Sequence, residues 1–278
     1  MTLDALAELV GGGGAVVLSG AGLSTESGIP DYRGPTGVSR GATPMTFQAF
    51  TTEALAPRRY WARSHLGWRV IARARPNAGH LAVADLQQAG LLRGVITQNV
   101  DGLHQAGGAR DVVELHGSLD QVVCLRCEER TAREQLDTRL REANPDWTAE
   151  VTSLKPDGDV DLADELVAGF VVVPCLVCGG QLKPDVVFFG ETVPRPRVDR
   201  CFALVDGAKA LVVLGSSLKV MSGYRFVLRA AKFGIPVAIV NQGLTRGEAY
   251  AAVRVDAALG EVLPALVRAL APELEASC

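Results

Sequence analysis

The chain has 278 residues, 48% of them hydrophobic and 21% charged, which excludes intrinsic disorder and allows one large or two small domains. Its net charge of −3 argues against a protein held to nucleic acid mainly by electrostatics. No apolar run reaches the roughly 18–20 residues that a membrane span needs, so no membrane association is expected.

The N-terminal stretch MTLDALAELVGGGG carries no Lys or Arg. It resembles neither a secretory signal nor an Arg-rich transit peptide, and a cytoplasmic protein is expected. Its amphipathic helical pattern ends at Gly11–Gly14. Ala15-Val-Val-Leu-Ser19 then reads as a buried strand, being short, apolar and bounded by glycine. Further strands are predicted at Gly94–Thr97, Val112–Leu115, Val186–Phe189, Ala210–Leu214 and Val237–Val240. Helical patterns fall at Pro57–Arg75, Gly79–Gln88, Pro196–Gly207, Gly223–Phe233 and Gly260–Leu270. Continuously apolar strands that alternate with helices predict a parallel sheet covered on both faces. Two stretches leave this rhythm: Gly34–Arg75, which is helical, and Leu119–Pro184, which is polar and helical over Thr131–Ala143. Both are expected to leave the sheet and build a second, smaller lobe, with a ligand cleft between the two.

The first strand runs into Gly20-Ala21-Gly22, with Thr25, Asp31 and Arg33 following. A glycine-rich turn between strand and helix lets backbone N–H groups approach a pyrophosphate. Thr25 stands where a dehydrogenase fingerprint has its third glycine, and no acidic residue closes a second strand about twenty residues on. A dinucleotide site is predicted, but not that of an ordinary hydride-transfer enzyme. Gln98, Asn99 and Asp101 follow the second strand, offering donors and acceptors suited to a nicotinamide riboside; Asp101 could also cap the next helix. The chain has four His. His65 and His80 lie in helical text and read as structural, and His104 packs beside the polar cluster. His116 ends a strand next to Gly117 and is the best general-base candidate by position.

Four of the six Cys form two pairs, Cys124-x-x-Cys127 and Cys175-x-x-Cys178, separated by residues 128–174. Two such turns complete a tetrahedral zinc shell, and a closed four-thiolate shell is structural rather than catalytic. Cys201 reads as a helix core residue and Cys278 as a free tail thiol.

Taken together, these stretches resemble the sirtuin family of NAD-dependent protein deacylases. The resemblance rests on Gly20–Arg33, Pro76-Asn-Ala-Gly-His80, Thr97-Gln-Asn-Val-Asp-Gly-Leu-His104, Leu115-His-Gly117, the cysteine pairs, Lys183–Glu191, Gly215-Ser-Ser-Leu-Lys-Val220 and Asn241-Gln-Gly243, in the family's order. It implies a Rossmann-like α/β fold: a parallel sheet with helices on both faces, plus a small domain of a helical module and a four-cysteine zinc-binding module. The expected large domain is 1–34, 76–118 and 185–278; the helical module is 35–75 and the zinc-binding module 119–184.

The resemblance implies two partners, NAD as co-substrate and one structural Zn2+. It also implies residue roles. Gly20, Ala21, Gly22, Thr25, Asp31, Tyr32 and Arg33 form the NAD loop, and Gln98, Asn99 and Asp101 hold ribose and nicotinamide. Asn99 and Asp101 also join the general base His116 in the catalytic set. Gly215, Ser216, Ser217, Asn241, Gln242, Gly243 and Leu259 hold the adenosine half. Val187, Phe188, Phe189, Gly190, Leu218 and Val220 clasp an extended acyl-lysine peptide as an added strand. In the implied reaction the acyl oxygen attacks C1′ of the nicotinamide ribose, His116 takes a ribose hydroxyl proton, and water releases lysine and O-acyl-ADP-ribose.

Within the family, Tyr60-Trp-Ala-Arg63, Gly67-Trp68, Asn144-Pro-Asp-Trp147, Pro156-Asp-Gly-Asp-Val160 and Ser222-Gly-Tyr-Arg-Phe226 are most similar to class II, the mitochondrial human sirtuin-four-like group. Where desuccinylating members carry Tyr-x-x-Arg, this chain reads Ser64-His-Leu-Gly67. A bacterial monomer is expected, with a preference for acyl groups other than or beyond acetyl. Mono-ADP-ribosyl transfer at the same site is the alternative activity, and a zinc module that senses NAD without turnover is the alternative from another class.

Overall fold

The structure is a computed structural model that describes residues 2–32, 34, 44–149, 159–160 and 162–275. Helix α1 (Thr2–Gly11) leads into strand β1 (Ala15–Ser19), and two 3-10 turns follow at Ala21–Leu23 and Thr25–Ser27. Then come α2 (Phe47–Thr52), α3 (Ala56–Ile71), α4 (Ala78–Gln88), β2 (Leu92–Thr97), α5 (Leu103–Ala106) and β3 (Val113–Glu114). Next are β4 (Gly117–Cys124), β5 (Arg130–Ala132), α6 (Arg133–Ala143), α7 (Asp164–Ala168) and β6 (Leu182–Val186). The chain continues through α8 (Arg195–Asp206), β7 (Ala210–Leu214), α9 (Met221–Lys232), β8 (Val237–Val240), β9 (Ala251–Val255) and α10 (Leu259–Glu275).

Six strands form a parallel sheet in the order β3-β2-β1-β7-β8-β9. Both faces of it are covered. Side chains alternate along a strand, so Ala15 and Val17 of β1 join a core with α1, α4 and α10, while Val16 and Leu18 join one with α8 and α9. This is why β1 and β7 are buried at every position and read as unbroken apolar runs. At the head of α4, the Asn77 side chain accepts the N–H groups of Gly79 and His80, which fixes where the helix starts.

A second, three-stranded antiparallel sheet has the order β5-β4-β6. It packs with α2, α3, α6 and α7 around Phe50, Tyr60, Trp61, Leu136, Leu140, Phe170 and Phe188. Arg133 lies in this region with 1% of its surface exposed, its guanidinium 5.3 Å from the Trp61 ring centroid and 4.7 Å from that of Trp68. Asp137 supplies the nearby negative charge and also lies 2.8 Å from His65 Nδ1. Arg69 donates to His65 Nε2, so that ring carries its proton on Nδ1, toward Asp137. His65 is thus a packed structural residue, as its helical setting implied.

The expected parallel strand Val186–Phe189 is not part of the large sheet. Its first residue ends β6, which runs antiparallel to β4, and Phe189 makes only an isolated bridge to Thr46. The local pattern is that of a buried strand, but the partner it finds is β4, through Gly117 and Val186. Three strands had no sequence prediction. β9 was hidden because half-exposed Arg254 breaks its apolar run, β4 because Ser118, Asp120 and Gln121 break its own, and β5 because its short polar run merges with the helical pattern expected from Thr131.

Candidate active site

Chain order in the large sheet reverses between β1 and β7, and a cleft opens at the carboxyl ends of these two strands, where open α/β sheets bind ligands. The loops after β1 and β7 meet backbone to backbone. Gly20 N–H donates to Leu214 O at 2.9 Å and Gly22 N–H to Gly215 O at 2.8 Å. A Cβ on Gly20 would stand 2.7 Å from Ser216 Cβ, and one on Gly22 would stand 2.9 Å from Gly215 Cα. The glycines are therefore required by close approach, and they leave a cavity of about 580 Å³ walled partly by backbone.

A chain of polar contacts runs along one wall. Asn99 Nδ2 donates to Gly20 O at 3.1 Å and to Ser24 Oγ at 3.0 Å. The Ser24 hydroxyl donates to Asp101 Oδ2 at 2.7 Å, while Asp101 Oδ1 accepts the Leu103 N–H at the start of α5. Asp101 thus both caps a helix and faces the cleft. Beneath it, the Ser19 hydroxyl donates to Thr97 Oγ1 at 2.9 Å and lies 2.8 Å from His104 Nε2. With its proton committed to Thr97, Ser19 accepts from His104, whose ring carries its proton on Nε2. Burial pushes His104 down to about 3, with His80 adding to the effect, so it is a neutral strut.

His116 follows β3 and lines the cleft. Its Nδ1 lies 2.9 Å from the Gln98 backbone carbonyl. A carbonyl can only accept, so Nδ1 carries the proton and Nε2 the lone pair. Burial holds this imidazole below its ordinary 6.5; the Gln98 carbonyl opposes that, and the Arg197 and Arg225 charges add to it. The ring is therefore neutral near pH 7, with a basic nitrogen on the side away from β2. Gly117, with φ at +85°, turns the chain from here into β4, and Val187 N–H donates to His116 O at 2.8 Å.

The opposite wall is the loop after β6. Lys183 Nζ donates to Glu191 Oε2 at 3.0 Å and sits 4.7 Å from the Phe188 ring centroid, while Glu191 Oε2 also accepts the Phe188 N–H. These contacts fix Val187–Gly190 at the cleft mouth. Leu218, in the facing loop, takes φ +55°, uncommon for a branched residue.

The model of the Sir2 family matches residues 20–222. The chain belongs to the Sir2 family. An NAD-dependent protein deacetylase 1 of Streptomyces coelicolor is 60% identical over 261 residues, 94% of this chain and 87% of that protein. One of the same name from Corynebacterium efficiens is 48% identical over 95% of this chain and 97% of its own length. Among solved structures, one of a Sir2 enzyme studied for mechanism and regulation superposes with TM-score 0.78 at 31% identity, covering 98% of each chain. A Sir2–p53 peptide–NAD+ complex gives 0.78 at 29%, covering 97% of this chain and 98% of that one.

In this sirtuin most of the expected site residues meet at one cleft. Gly20, Ala21, Gly22, Asp31, Tyr32, Gln98, Asn99, Asp101, His116, Gly215, Ser216, Ser217, Asn241 and Gln242 line it, as do Val187, Phe188, Phe189, Gly190, Leu218 and Val220. Three expected positions fall elsewhere. Thr25 is exposed and its hydroxyl donates to Gly22 O, because the 3-10 turn directs Ser24 rather than Thr25 inward. Leu259 is 6% exposed and packs in the core behind Gly215. Gly243 lies between the lining residues Gln242 and Leu244 without lining the cleft itself, and its N–H donates to Asp256. Arg33 and Cys278 lie outside the described residues. Sequence reasoning missed Ser24 and Ser222. Ser24 sits inside the glycine-rich motif and was open to recognition there; Ser222 was read only within the Ser222–Phe226 stretch, and nothing local shows that it reaches the cleft from a distant helix.

The cysteine pairs also converge. Their four Sγ atoms lie within 4.8 Å of one another. A tetrahedral zinc at about 2.3 Å from each thiolate spaces the sulfurs by about 3.8 Å. Cys124–Cys178 is 3.5 Å and Cys127–Cys175 is 3.8 Å, so the set fits one structural zinc. Cys201 is fully buried in α8, as its setting predicted.

Proposed function

We propose that this chain is an NAD-dependent protein-lysine deacetylase that converts acetyl-lysine, NAD and water to lysine, nicotinamide and O-acetyl-ADP-ribose. The observation that carries the reading is the His116 imidazole, locked by the Gln98 carbonyl with its lone pair on Nε2 at the ligand end of the sheet, where it can take a proton. The relatives' printed activity supports the same reading. The glycine-walled cavity fits a dinucleotide: Gly20–Gly22 and Gly215 bare the backbone along one wall, leaving room for a bulky ligand, and Gln98, Asn99 and Asp101 offer amide and carboxylate groups.

NAD supplies an electrophilic ribose carbon whose bond to nicotinamide breaks when the acyl oxygen attacks it. Asp101 places carboxylate charge, and Asn99 an oriented amide, beside the ribose as positive charge develops there, a preorganised electrostatic stabilisation. His116 Nε2 takes the proton of a ribose hydroxyl as that oxygen attacks the acyl carbon. Val187–Gly190 and Leu218–Val220 line two sides of the peptide path, suited to holding an acyl-lysine segment as an added strand. Gly215–Ser217 with Asn241 and Gln242 receive the adenosine half. In this reading the large sheet is the NAD domain and the zinc-bearing sheet with its helical module is the small domain, in a cytoplasmic bacterial monomer.

The finer placing in class II rests on Tyr60, Trp61, Trp147 and Ser222–Phe226. Acyl groups larger than acetyl are included in the proposal, because Ile29, Met45, Tyr60 and Val186 give the cleft an apolar inner lining. Peptides carrying acetyl, longer, branched and acidic acyl groups, each with NAD, test this by mass spectrometry. Equal yields of nicotinamide and O-acyl-ADP-ribose are expected from acetyl and apolar acyls and little product from succinyl, since Ser64 and Gly67 replace an acid-binding pair. Nicotinamide release without any acyl peptide, with label moving to protein, would favour mono-ADP-ribosyl transfer instead. Silence across the panel would end the proposal.

A further inference from the structure

The basic nitrogen of His116 has a partner that the reaction does not assign. Ser222 Oγ lies 2.8 Å from His116 Nε2. Because Nδ1–H is already committed to the Gln98 carbonyl, Nε2 can only accept, and the Ser222 hydroxyl must be the donor. Ser222 stands in the first turn of α9, a 12-residue helix whose Phe226, Val227 and Ala230 are buried against the sheet. Its position is therefore set by a rigid element and not by a loop.

The next residue contributes to the same geometry. A Cβ at Gly223 would meet the Gln98 side-chain amide, whose Nε2 donates to Ser19 O at 3.1 Å and Ser216 Oγ at 2.9 Å. Gly223 thus lets Gln98 sit under α9, and the Gln98 carbonyl holds one side of the imidazole while Ser222 holds the other.

We propose that Ser222 is a positioning residue for the base: its hydroxyl orients the neutral imidazole and stabilises the lone pair on Nε2. This rests on His116 acting as the base. A donor to the neutral form disfavours protonation, so Ser222 keeps His116 available as a base at lower pH than it would otherwise be. The charged groups facing the ring, Arg197 of α8 and Arg225 of α9, act in the same direction, and the Gln98 carbonyl acts against it. Substrate exchanges this hydroxyl for one of the ribose, which then approaches an imidazole already turned to receive it.

The test compares Ser222→Val with Ser222→Thr, nearly equal in shape and differing in the hydroxyl, beside wild type and Ser222→Ala. Nitrogen-15 NMR of the free protein follows the His116 titration, with His116→Ala as the assignment control, and kcat/KM for NAD is measured against pH. The Ala and Val variants are expected to titrate His116 about half to one pH unit higher and to move the acid limb of kcat/KM by the same amount. Thr is expected to restore both. If His116 titrates at the same pH in folded Val and Thr variants, the proposal is wrong even though His116 remains the base. If His116→Ala turns over like wild type, the base assignment itself fails, whatever Ser222 does.

Discussion

At the scale of single residues, the site depends on which nitrogen of each imidazole holds the proton. His104 and His116 end up as opposite tautomers because their fixed partners differ: a hydroxyl already committed elsewhere in one case, a backbone carbonyl in the other. His116→Ala is expected to cost about 10²–10⁴-fold in turnover while NAD still binds, measured as nicotinamide release beside calorimetric binding. Turnover near wild type would remove His116 from the base role. Burial lowers the His116 pKa, so the base is neutral above its folded pKa and is lost as pH falls through it. The acid limb of kcat/KM is therefore expected below pH 6.5.

At the scale of elements, Gly117 joins the two sheets. Its φ of +85° sends the chain from His116 into β4, and a Cβ there would collide with the Asp185 carbonyl of β6. Gly117→Ala is expected to destabilise the fold by at least about 1–3 kcal/mol and to shift the neighbouring His116, lowering both the melting temperature and turnover. An unchanged melt in that variant would show that the β4–β6 junction yields without cost. The cysteine turns make the second element-scale prediction. Zinc binding at such a site is folding free energy, so Cys124→Ser or prolonged chelation is expected to remove zinc and lower the melting temperature. Full zinc content with an unaltered melt in Cys124→Ser would contradict the structural assignment.

For the whole molecule, buried neutral histidine makes stability depend on pH. His104 is held at about 3 and His80 is also lowered, both chiefly by burial, against an ordinary 6.5. Between those limits the unfolded chain takes up protons that the folded chain refuses. The contribution is complete above pH 6.5 and declines as pH falls below it. Melting temperature is expected to drop between pH 7.5 and 5, and His104→Gln, which keeps a donor for Ser19, should flatten the drop. Equal slopes in the two proteins would argue that the His104 proton is not the cause.

Chemistry with short-range spacing was open to reading from sequence alone. The glycine-rich turn after an apolar strand, the Gln98–Asn99–Asp101 cluster and the two Cys-x-x-Cys turns each carry their reason within a few residues, and they pointed to a dinucleotide site at the strand ends and to the metal shell; the remaining cleft residues, from Val187 to Gln242, followed only from the family resemblance. Features that depend on distant partners were not open to it. Val186–Phe189 had the composition of a core strand, yet β4 captured its first residue. Thr25 matched the motif, yet the turn directed Ser24 inward, and Leu259 went to the core behind Gly215. Ser222 stood in a segment read only for its family likeness, with nothing to join it to His116, 106 residues away in sequence, until α9 carried it there. Local pattern specifies what a segment can form and which groups it carries; only tertiary packing decides which edge it pairs with and which lone pair its hydroxyl meets.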